Sequence, residues 1–376
     1  MFRASSPPHL TTLIMLTGFS TLSLNMFLPS LASIADDLST DYATVTIAVS
    51  GYLAVTALVQ IVAGPLSDRI GRRPVLLMAL VLFTVASSVC AVSQDIQTFL
   101  TFRMLQAGVI SGYALSLAIV RDTTNERKAA GLIGYISMAM AIAPMLGPML
   151  GGFLDAALGW RAPFYFLAVS GLFLFALCWV DLGETKPTRN RGDRTPEENI
   201  WVLVREPVFW AYSLCGTFAT GAFYIFLTGA PLVATATFNL STAEIGLYIG
   251  TITGGFILGS FISGKLSPKS EPGKMMIAGR LIACLGLFAG TLALASGYET
   301  PVFFFGSTVF VGFGNGITLP SSNAAVMSIR PQLAGSAAGL NGAMIVSGGA
   351  VLTSLTGRIL TENTSVLMIL MLMLMV

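Results

Sequence analysis

Long apolar runs alternate with short polar connections along almost the whole chain. A helix needs about 20 apolar residues to cross the roughly 30 Å hydrocarbon layer of a bilayer. The pattern therefore predicts six membrane spans, a hydrophilic connection at 181–206, and six further spans. The predicted spans lie near residues 10–30, 44–64, 74–93, 97–120, 129–153, 162–180, 208–230, 243–264, 275–296, 301–325, 334–357 and 364–376. The last run corresponds to only about 20 Å of helix, so we expect a short or truncated final span.

The composition agrees with this pattern. Only 10% of the 376 residues are charged and 54% are hydrophobic, whereas a soluble protein carries about 25% charged residues. This excludes a soluble enzyme, a nucleic-acid-binding protein and a disulfide-stapled secreted domain, and it leaves an all-α polytopic protein embedded in a lipid bilayer. The four cysteines lie in apolar runs without CxxC spacing, and His9 is the only histidine. We therefore expect no metal site and no cofactor.

The positions of the basic residues predict the orientation. Seventeen of the 20 Lys and Arg residues fall in alternate connections on one side, and only Arg161 and Arg358 fall on the other. Cytoplasmic loops carry the excess of positive charge. Both termini and the central connection should therefore lie in the cytoplasm.

Short repeated strings indicate a duplication. Leu-Ser-Thr precedes both the second and the eighth predicted span, at 38–40 and 240–242, and similar strings end these spans at 64–67 and 264–267. Two parallel six-helix halves are typical of transporters with a substrate site near the midplane. We predict an N-terminal bundle at 1–180, a cytoplasmic linker at 181–206 and a C-terminal bundle at 207–376. A channel and a non-transporting receptor or scaffold remain alternatives.

The connection after the second span carries a dense motif. It reads Gly-Pro-Leu-Ser-Asp-Arg-Ile-Gly-Arg-Arg-Pro over residues 64–74. Gly71 permits a tight turn, Pro74 can begin the next helix, and Asp68 and Arg72 are placed to pair. The string closely resembles the signature loop of the major facilitator superfamily.

Two further strings extend the resemblance over nearly the whole chain. Residues 103–108 in the fourth span are similar to an R-x-x-Q-G element, and residues 147–152 in the fifth resemble the G-P-x-x-G-G element of exporters. The chain thus resembles the Bcr/CflA branch of the twelve-span drug:proton antiporters. The resemblance implies the major facilitator fold, with two six-helix bundles related by pseudo-twofold symmetry. It also implies a monomer that exports small amphipathic compounds by alternating access, in exchange for protons.

Two groups of residues are candidates for a role in the conformational change of transport. A cytoplasmic latch is expected where the signature loop meets the ends of the fourth and eleventh spans. Small residues spaced four apart also let membrane helices approach closely, which predicts an interface between moving helices in the fifth and eleventh spans. The latch candidates are Gly64, Asp68, Arg69, Gly71, Arg72, Arg73 and Asp122, and the interface candidates are Gly147, Pro148, Gly151, Gly152, Gly335 and Gly339.

Arg103 stands inside the fourth span between apolar neighbours. A charge there costs about 2.5 kcal/mol or more, so it marks a functional site by default, although an arginine that caps carbonyls of a neighbouring helix is the structural alternative. Gln106 shares its helix face, and Asn25 and backbone oxygens of the first span are possible partners. The resemblance also implies an aromatic cavity wall, because the spans that line the cavity in this superfamily carry Tyr52, Tyr113, Phe218, Phe223, Tyr224 and Phe226.

Asn25 stands where the resembled branch has an aspartate, in the string Asn-Met-Phe-Leu-Pro at 25–29. Asn cannot titrate, and every acidic residue maps to a loop or a helix end. Proton coupling would then use Asp36, Asp37 or Asp41 at the outer mouth. The alternatives are a proton-independent uniporter or exchanger whose anionic or neutral substrate meets Arg103, and a family member with little activity.

Overall fold

The computed structural model describes residues 8–123, 132, 136, 143, 146–185, 201–266, 270–330 and 334–359. The chain divides into two compact units, Met1–Arg189 and Asn190–Val376. Across the described ranges the regular structure is entirely helical.

The described part of the first unit contains eight α-helices. They are α1 Leu10–Asn25, α2 Leu31–Asp37, α3 Tyr42–Ile70, α4 Arg72–Val92, α5 Ile96–Leu105, α6 Ser111–Thr123, α7 Leu146–Leu158 and α8 Ala162–Asp181. Short 3₁₀ turns join α1 to α2 at Leu28–Ser30 and α5 to α6 at Gln106–Ile110. The first and fourth membrane spans are therefore each built from two helical pieces.

In the second unit the described residues form one short helix and five long ones. They are α9 Trp201–Val204, α10 Pro207–Ala236, α11 Thr242–Leu266, α12 Pro272–Ala295, α13 Pro301–Ile329 and α14 Ala334–Ile359. Helices α11, α12 and α13 pack closely through glycines. A side chain at Gly259 would collide with the carbonyl of Phe313, and one at Gly312 with the carbonyl of Ile252. This is the small-residue packing that brings membrane helices together.

Ten helical segments of the described residues are long and apolar enough to cross a membrane, and α7 is a shorter apolar helix. This confirms the predicted all-α polytopic membrane protein. The predicted span at 364–376 lies outside the described residues, as does most of 129–145. The helix of the fifth span, α7, continues to Leu158 rather than ending at 153. It ends there because Gly159 has φ +84° and donates its N–H to the carbonyl of Asp155.

Pro29 explains the break in the first span. It has no N–H to donate to the carbonyl four residues earlier, and it disfavours a helix through the residues before it. Helix α1 ends at Asn25, and the chain resumes as α2 at Leu31. The last carbonyls of α1 are consequently left without helical partners.

An aromatic cluster positions this break in the first unit. The ring of Phe27 lies 6.0 Å from that of Phe164 in α8, which is 5.4 Å from Phe99 in α5. Trp160 meets Phe99 edge-on at 5.8 Å. Such aromatic pairs add about 0.5–1.5 kcal/mol each beyond area burial, so the first, fourth and sixth spans are packed together around Phe27.

Candidate functional site: the Arg103 cluster and the signature loop

The Arg103 side chain is completely buried near the end of α5. Its Nη2 donates to the carbonyls of Ser23 at 3.1 Å and Leu24 at 3.3 Å, and its Nη1 donates to Gln106 Oε1 at 2.7 Å. The two carbonyls belong to the last turn of α1, and the proline break leaves them free to accept hydrogen bonds from outside the helix. A cation at a helix C-terminus is also favoured by the helix dipole.

Aromatic rings cover the guanidinium. Its central carbon lies 4.2 Å from the ring centre of Phe27 and 4.3 Å from that of Tyr52. Cation–π contacts of this kind contribute about 2 kcal/mol when desolvated. The Tyr52 hydroxyl lies 3.1 Å from Ser23 Oγ. Tyr52, expected at a cavity wall, is thus a buried part of the Arg103 cluster.

Gln106 extends the cluster to the third span. Its Nε2 donates to Ser87 Oγ at 2.7 Å, and Ser87 donates in turn to the carbonyl of Phe83 in α4. A chain of hydrogen bonds therefore connects α1, the α5 segment and α4 around one buried charge. Buried networks of this kind hold a single arrangement because each member would be costly to leave unpaired.

Asn25 is not a partner of Arg103. Its Nδ2 donates to the carbonyl of Thr21 at 2.8 Å, and its buried Oδ1 has no hydrogen-bond partner. Among the ion pairs of the described residues none contains Arg103, and its Nε makes no hydrogen bond. The guanidinium is surrounded by neutral oxygens and rings, which is the geometry of a helix-capping arginine.

The other aromatic candidates are placed separately. Tyr113 is half-buried in α6 of the first unit, whereas Phe223 and Tyr224 are half-buried in α10 of the second, with ring centres 5.9 Å apart. Tyr224 lies against the backbone of Gly349 in α14. Phe218 is largely exposed, and Phe226 is buried against Phe305.

The signature loop turns sharply between α3 and α4. Gly71 has φ +107°, a conformation that L-residues with side chains rarely adopt. Arg72 Nε lies 3.2 Å from Asp122 Oδ2 at the end of α6, and its Nη1 donates to Ser67 Oγ. Arg69 is exposed in the last turn of α3. Gly64 and Asp68 lie in α3 with side-chain positions outside the described residues, so the described latch pair is Arg72–Asp122.

Sequence reasoning missed one member of this region, Glu184, just after α8. Its Oε1 accepts from the backbone N–H of Arg72 at 2.9 Å and its Oε2 from that of Arg73 at 3.3 Å. Arg73 Nη2 donates to the carbonyl of Trp179 at 2.7 Å. A first turn of α4 without its own capping side chain is the sequence signal that a distant acceptor is needed.

Helix α7 packs on the break of the first span. The Cβ of an alanine at Gly147 would lie 3.1 Å from Asn25 Cβ, and one at Gly151 would collide with the carbonyl of Met26. Pro148 and Gly152 are buried in the same helix.

Gly335 and Gly339 lie in α14, with surroundings outside the described residues. Within the described residues no group of three His, Cys, Asp or Glu side chains could hold a metal ion.

Comparisons with known proteins identify the family of the chain. The profile described as Major Facilitator Superfamily matches residues 13–353. A chloramphenicol resistance protein of Pseudomonas aeruginosa is 31% identical over 293 residues, which is 76% of this chain and 68% of the relative. The multidrug resistance protein MdtL of Escherichia coli is 28% identical over 320 residues, covering 84% and 81% of the two chains.

A solved structure shows the same fold. A bacterial homologue of the human lysosomal transporter Spinster, in an inward-facing and occupied conformation, superposes with a TM-score of 0.79 at 19% identity, over 93% of this chain and 80% of that one. At this identity the likeness concerns the fold alone. The profile match along the chain and the shared fold together mean that the protein is a transporter of the major facilitator superfamily.

Proposed function

We propose that this protein exports small amphipathic compounds across the bacterial cytoplasmic membrane by alternating access, in exchange for protons. The observation that carries the proposal is the similarity to two proteins named for resistance to chloramphenicol and to several drugs, over 76% and 84% of this chain. The distribution of basic residues supports cytoplasmic termini. We take the transporting unit to be a monomer.

The signature loop supports a conformational role. Arg72 reaches Asp122, and Glu184 binds the first turn of α4, so three separate segments meet at one loop. Charge pairs that hold two elements together in one state and separate in another are a common switching device. We assign the latch to this cluster, with Asp68 as a further member.

Arg103 supports a second role inside the first unit. The guanidinium joins the broken end of α1 to α5, so a movement of one helix relative to the other must break the two hydrogen bonds to the carbonyls of Ser23 and Leu24. We assign to Arg103 the task of keeping the first and fourth spans together during transport.

Reconstituted protein provides the test. Proteoliposomes loaded with labelled chloramphenicol are given an imposed pH gradient, and release is compared with release after a protonophore removes the gradient. We expect the pH gradient to speed the movement of chloramphenicol in the direction opposite to proton flow, compared with its movement after the protonophore is added. Equal release rates with and without the gradient would show that export is not coupled to protons. Release rates equal to those of protein-free liposomes loaded with chloramphenicol would exclude chloramphenicol export.

One observation favours a second candidate, a proton-independent exchanger of an anionic compound. Among the described residues, the groups that contact the buried Arg103 side chain are all neutral, and a buried charge without an ionic partner is unfavourable. An anionic substrate would supply the missing countercharge. Exchange of an organic anion that persists after the pH gradient is collapsed would favour this candidate.

A further inference from the structure

Asp155 is a buried carboxylate of the first unit. It lies in α7, three residues before the end of that helix, and only 8% of its surface is exposed. Its Oδ2 is buried and makes no hydrogen bond. Sequence reasoning placed every acid in a loop or at a helix end, and it missed this burial because the residues that cover Asp155 are distant along the chain.

Asp155 belongs to the α7 face that packs on the break of the first span. Gly147, Gly151 and Asp155 are spaced four apart and therefore share one face. The first two meet Asn25 and the carbonyl of Met26, and Asp155 faces Ser30. Ser30 Oγ is itself buried, with no hydrogen bond of ordinary geometry. The carboxyl thus lies about 12 Å along α7 from the level of Asn25, next to the same irregular backbone.

The charged groups around this end of the unit are engaged with other partners. Arg161 donates to Asp37 at 2.7 Å and to the carbonyl of Ser93 at 3.0 Å. Arg103 is bound by Gln106 and the α1 carbonyls. Asp36 is exposed.

No ion pair of the described residues includes Asp155. An ionised carboxylate that is buried without a cation is strongly unfavourable, whereas a protonated one carries no charge. The carboxyl can therefore exchange its charge for a proton in this position.

Asp37 and Asp41, at the expected outer mouth, are less suited than Asp155 to bind and release a proton. Asp41 accepts from the Thr44 hydroxyl at 2.6 Å and from the Thr44 N–H at 3.0 Å, and these hydrogen bonds lower the pKa of Asp41. Asp37 is paired with Arg161. Hydrogen bonds and cations favour the ionised form of a carboxylate, so both side chains stay charged and exposed near neutral pH.

We propose that Asp155 binds and releases the coupling proton. In the step, an O–H bond forms at the carboxylate as one breaks in hydronium on the side of higher proton concentration, and the reverse step on the other side restores the charge. Nothing is oxidised or reduced. The inference rests on the proposed proton-coupled export, and it assigns that coupling to a residue on α7.

The first test uses transport of chloramphenicol in proteoliposomes. Asp155→Asn keeps the size and polarity of the side chain but cannot titrate. We expect it to lose all stimulation by the pH gradient while it retains exchange of labelled for unlabelled chloramphenicol, which needs no net proton movement. Asp155→Glu should retain the stimulation. Asp95→Asn is the matched control, because Asp95 is an exposed helix-capping acid that Asn can replace as a cap.

The second test does not depend on transport. Infrared difference spectra of the reconstituted protein between acidic and alkaline pH should contain the C=O stretch of a buried protonated carboxyl, and Asp155→Asn should remove it. A band that persists in Asp155→Asn overturns the assignment, as does gradient-driven efflux that this variant retains or loss of exchange together with coupling. Wild-type protein that shows the band but moves no chloramphenicol would contradict the proposed function and leave the proton site standing.

Discussion

Glu184 Oε1 accepts a hydrogen bond from the backbone N–H of Arg72 at 2.9 Å and so ties the segment after α8 to the first turn of α4. The first N–H groups of a helix have no partner within the helix. Gly71, at the capping position, has no side chain to supply one. A carboxylate 112 residues away therefore acts as the helix cap, and its negative charge is favourable at the helix N-terminus.

Loss of this cap should weaken the first unit. We expect Glu184→Ala to lower the stability of the protein by about 1 kcal/mol, the usual cost of losing an N-terminal cap. Glu184→Gln keeps one acceptor oxygen and should cost less. Thermal unfolding in detergent, followed by the fluorescence of a thiol-reactive dye at the buried cysteines, measures the difference. Equal melting temperatures for all three proteins would contradict the capping role.

Gly71 should tolerate no side chain. A Cβ at this position would collide with the Glu184 carboxylate, and φ +107° is strained for any other residue. We expect Gly71→Ala to destabilise the protein by more than about 1 kcal/mol. Gly264 is the control, since it lies inside α11 with ordinary helical backbone and a Cβ there meets nothing within 4 Å. Gly264→Ala should be neutral or slightly stabilising in the same unfolding assay.

The latch pair should act on the rate of transport more than on folding. Arg72 and Asp122 are joined at 3.2 Å. We expect Asp122→Asn and Asp68→Asn each to slow chloramphenicol efflux severely while the protein still inserts and purifies normally. Arg72→Gln combined with Asp122→Asn should be no slower than the worse single variant, because both remove one interaction. Additive losses would mean that the two residues act separately.

Gln106 offers a direct test of the buried charge. Its Oε1 already contacts Arg103 Nη1 at 2.7 Å, so Gln106→Glu would place a carboxylate against the guanidinium. If Arg103 serves as a helix link, we expect this variant to keep chloramphenicol transport, and Arg103→Ala to lower expression and thermal stability together. If Arg103 binds anionic substrates, Gln106→Glu should abolish transport of organic anions and spare neutral compounds. Measured transport of one anionic and one neutral compound separates the two roles.

Asp41 should not take part in proton coupling. Hydrogen bonds from Thr44 lower the pKa of Asp41, so the carboxylate favours the folded state at neutral pH and loses that contribution as the pH falls through its lowered pKa. We expect Asp41→Asn to leave gradient-driven efflux unchanged between pH 6 and 8, and the pH profile of efflux rate checks this. A loss of gradient stimulation in Asp41→Asn would contradict this and assign the proton site to Asp41 at the outer mouth.

The amino-acid sequence by itself determined the ten described spans and the turn at Gly71. The break at Pro29 has an equally local cause, although residues 10–30 were predicted as one uninterrupted span. These features depend on local chemistry, namely the length of an apolar run, a backbone that only glycine adopts readily and a residue without an N–H. The signature loop between α3 and α4 could be recognised for the same reason, because its residues are consecutive.

Only the tertiary structure decided which groups meet. Arg103 was evident as a buried charge, but its partners proved to be the carbonyls of Ser23 and Leu24 and not the side chain of Asn25. The residues next to Glu184 and Asp155 in the sequence do not mark either of them, since a carboxylate near a helix end is ordinary, and the uncapped turn of α4 does not say which acid reaches it. Their roles arise from packing between segments far apart in the chain, which sets the burial and hydrogen-bond partners that a pattern of single residues does not contain.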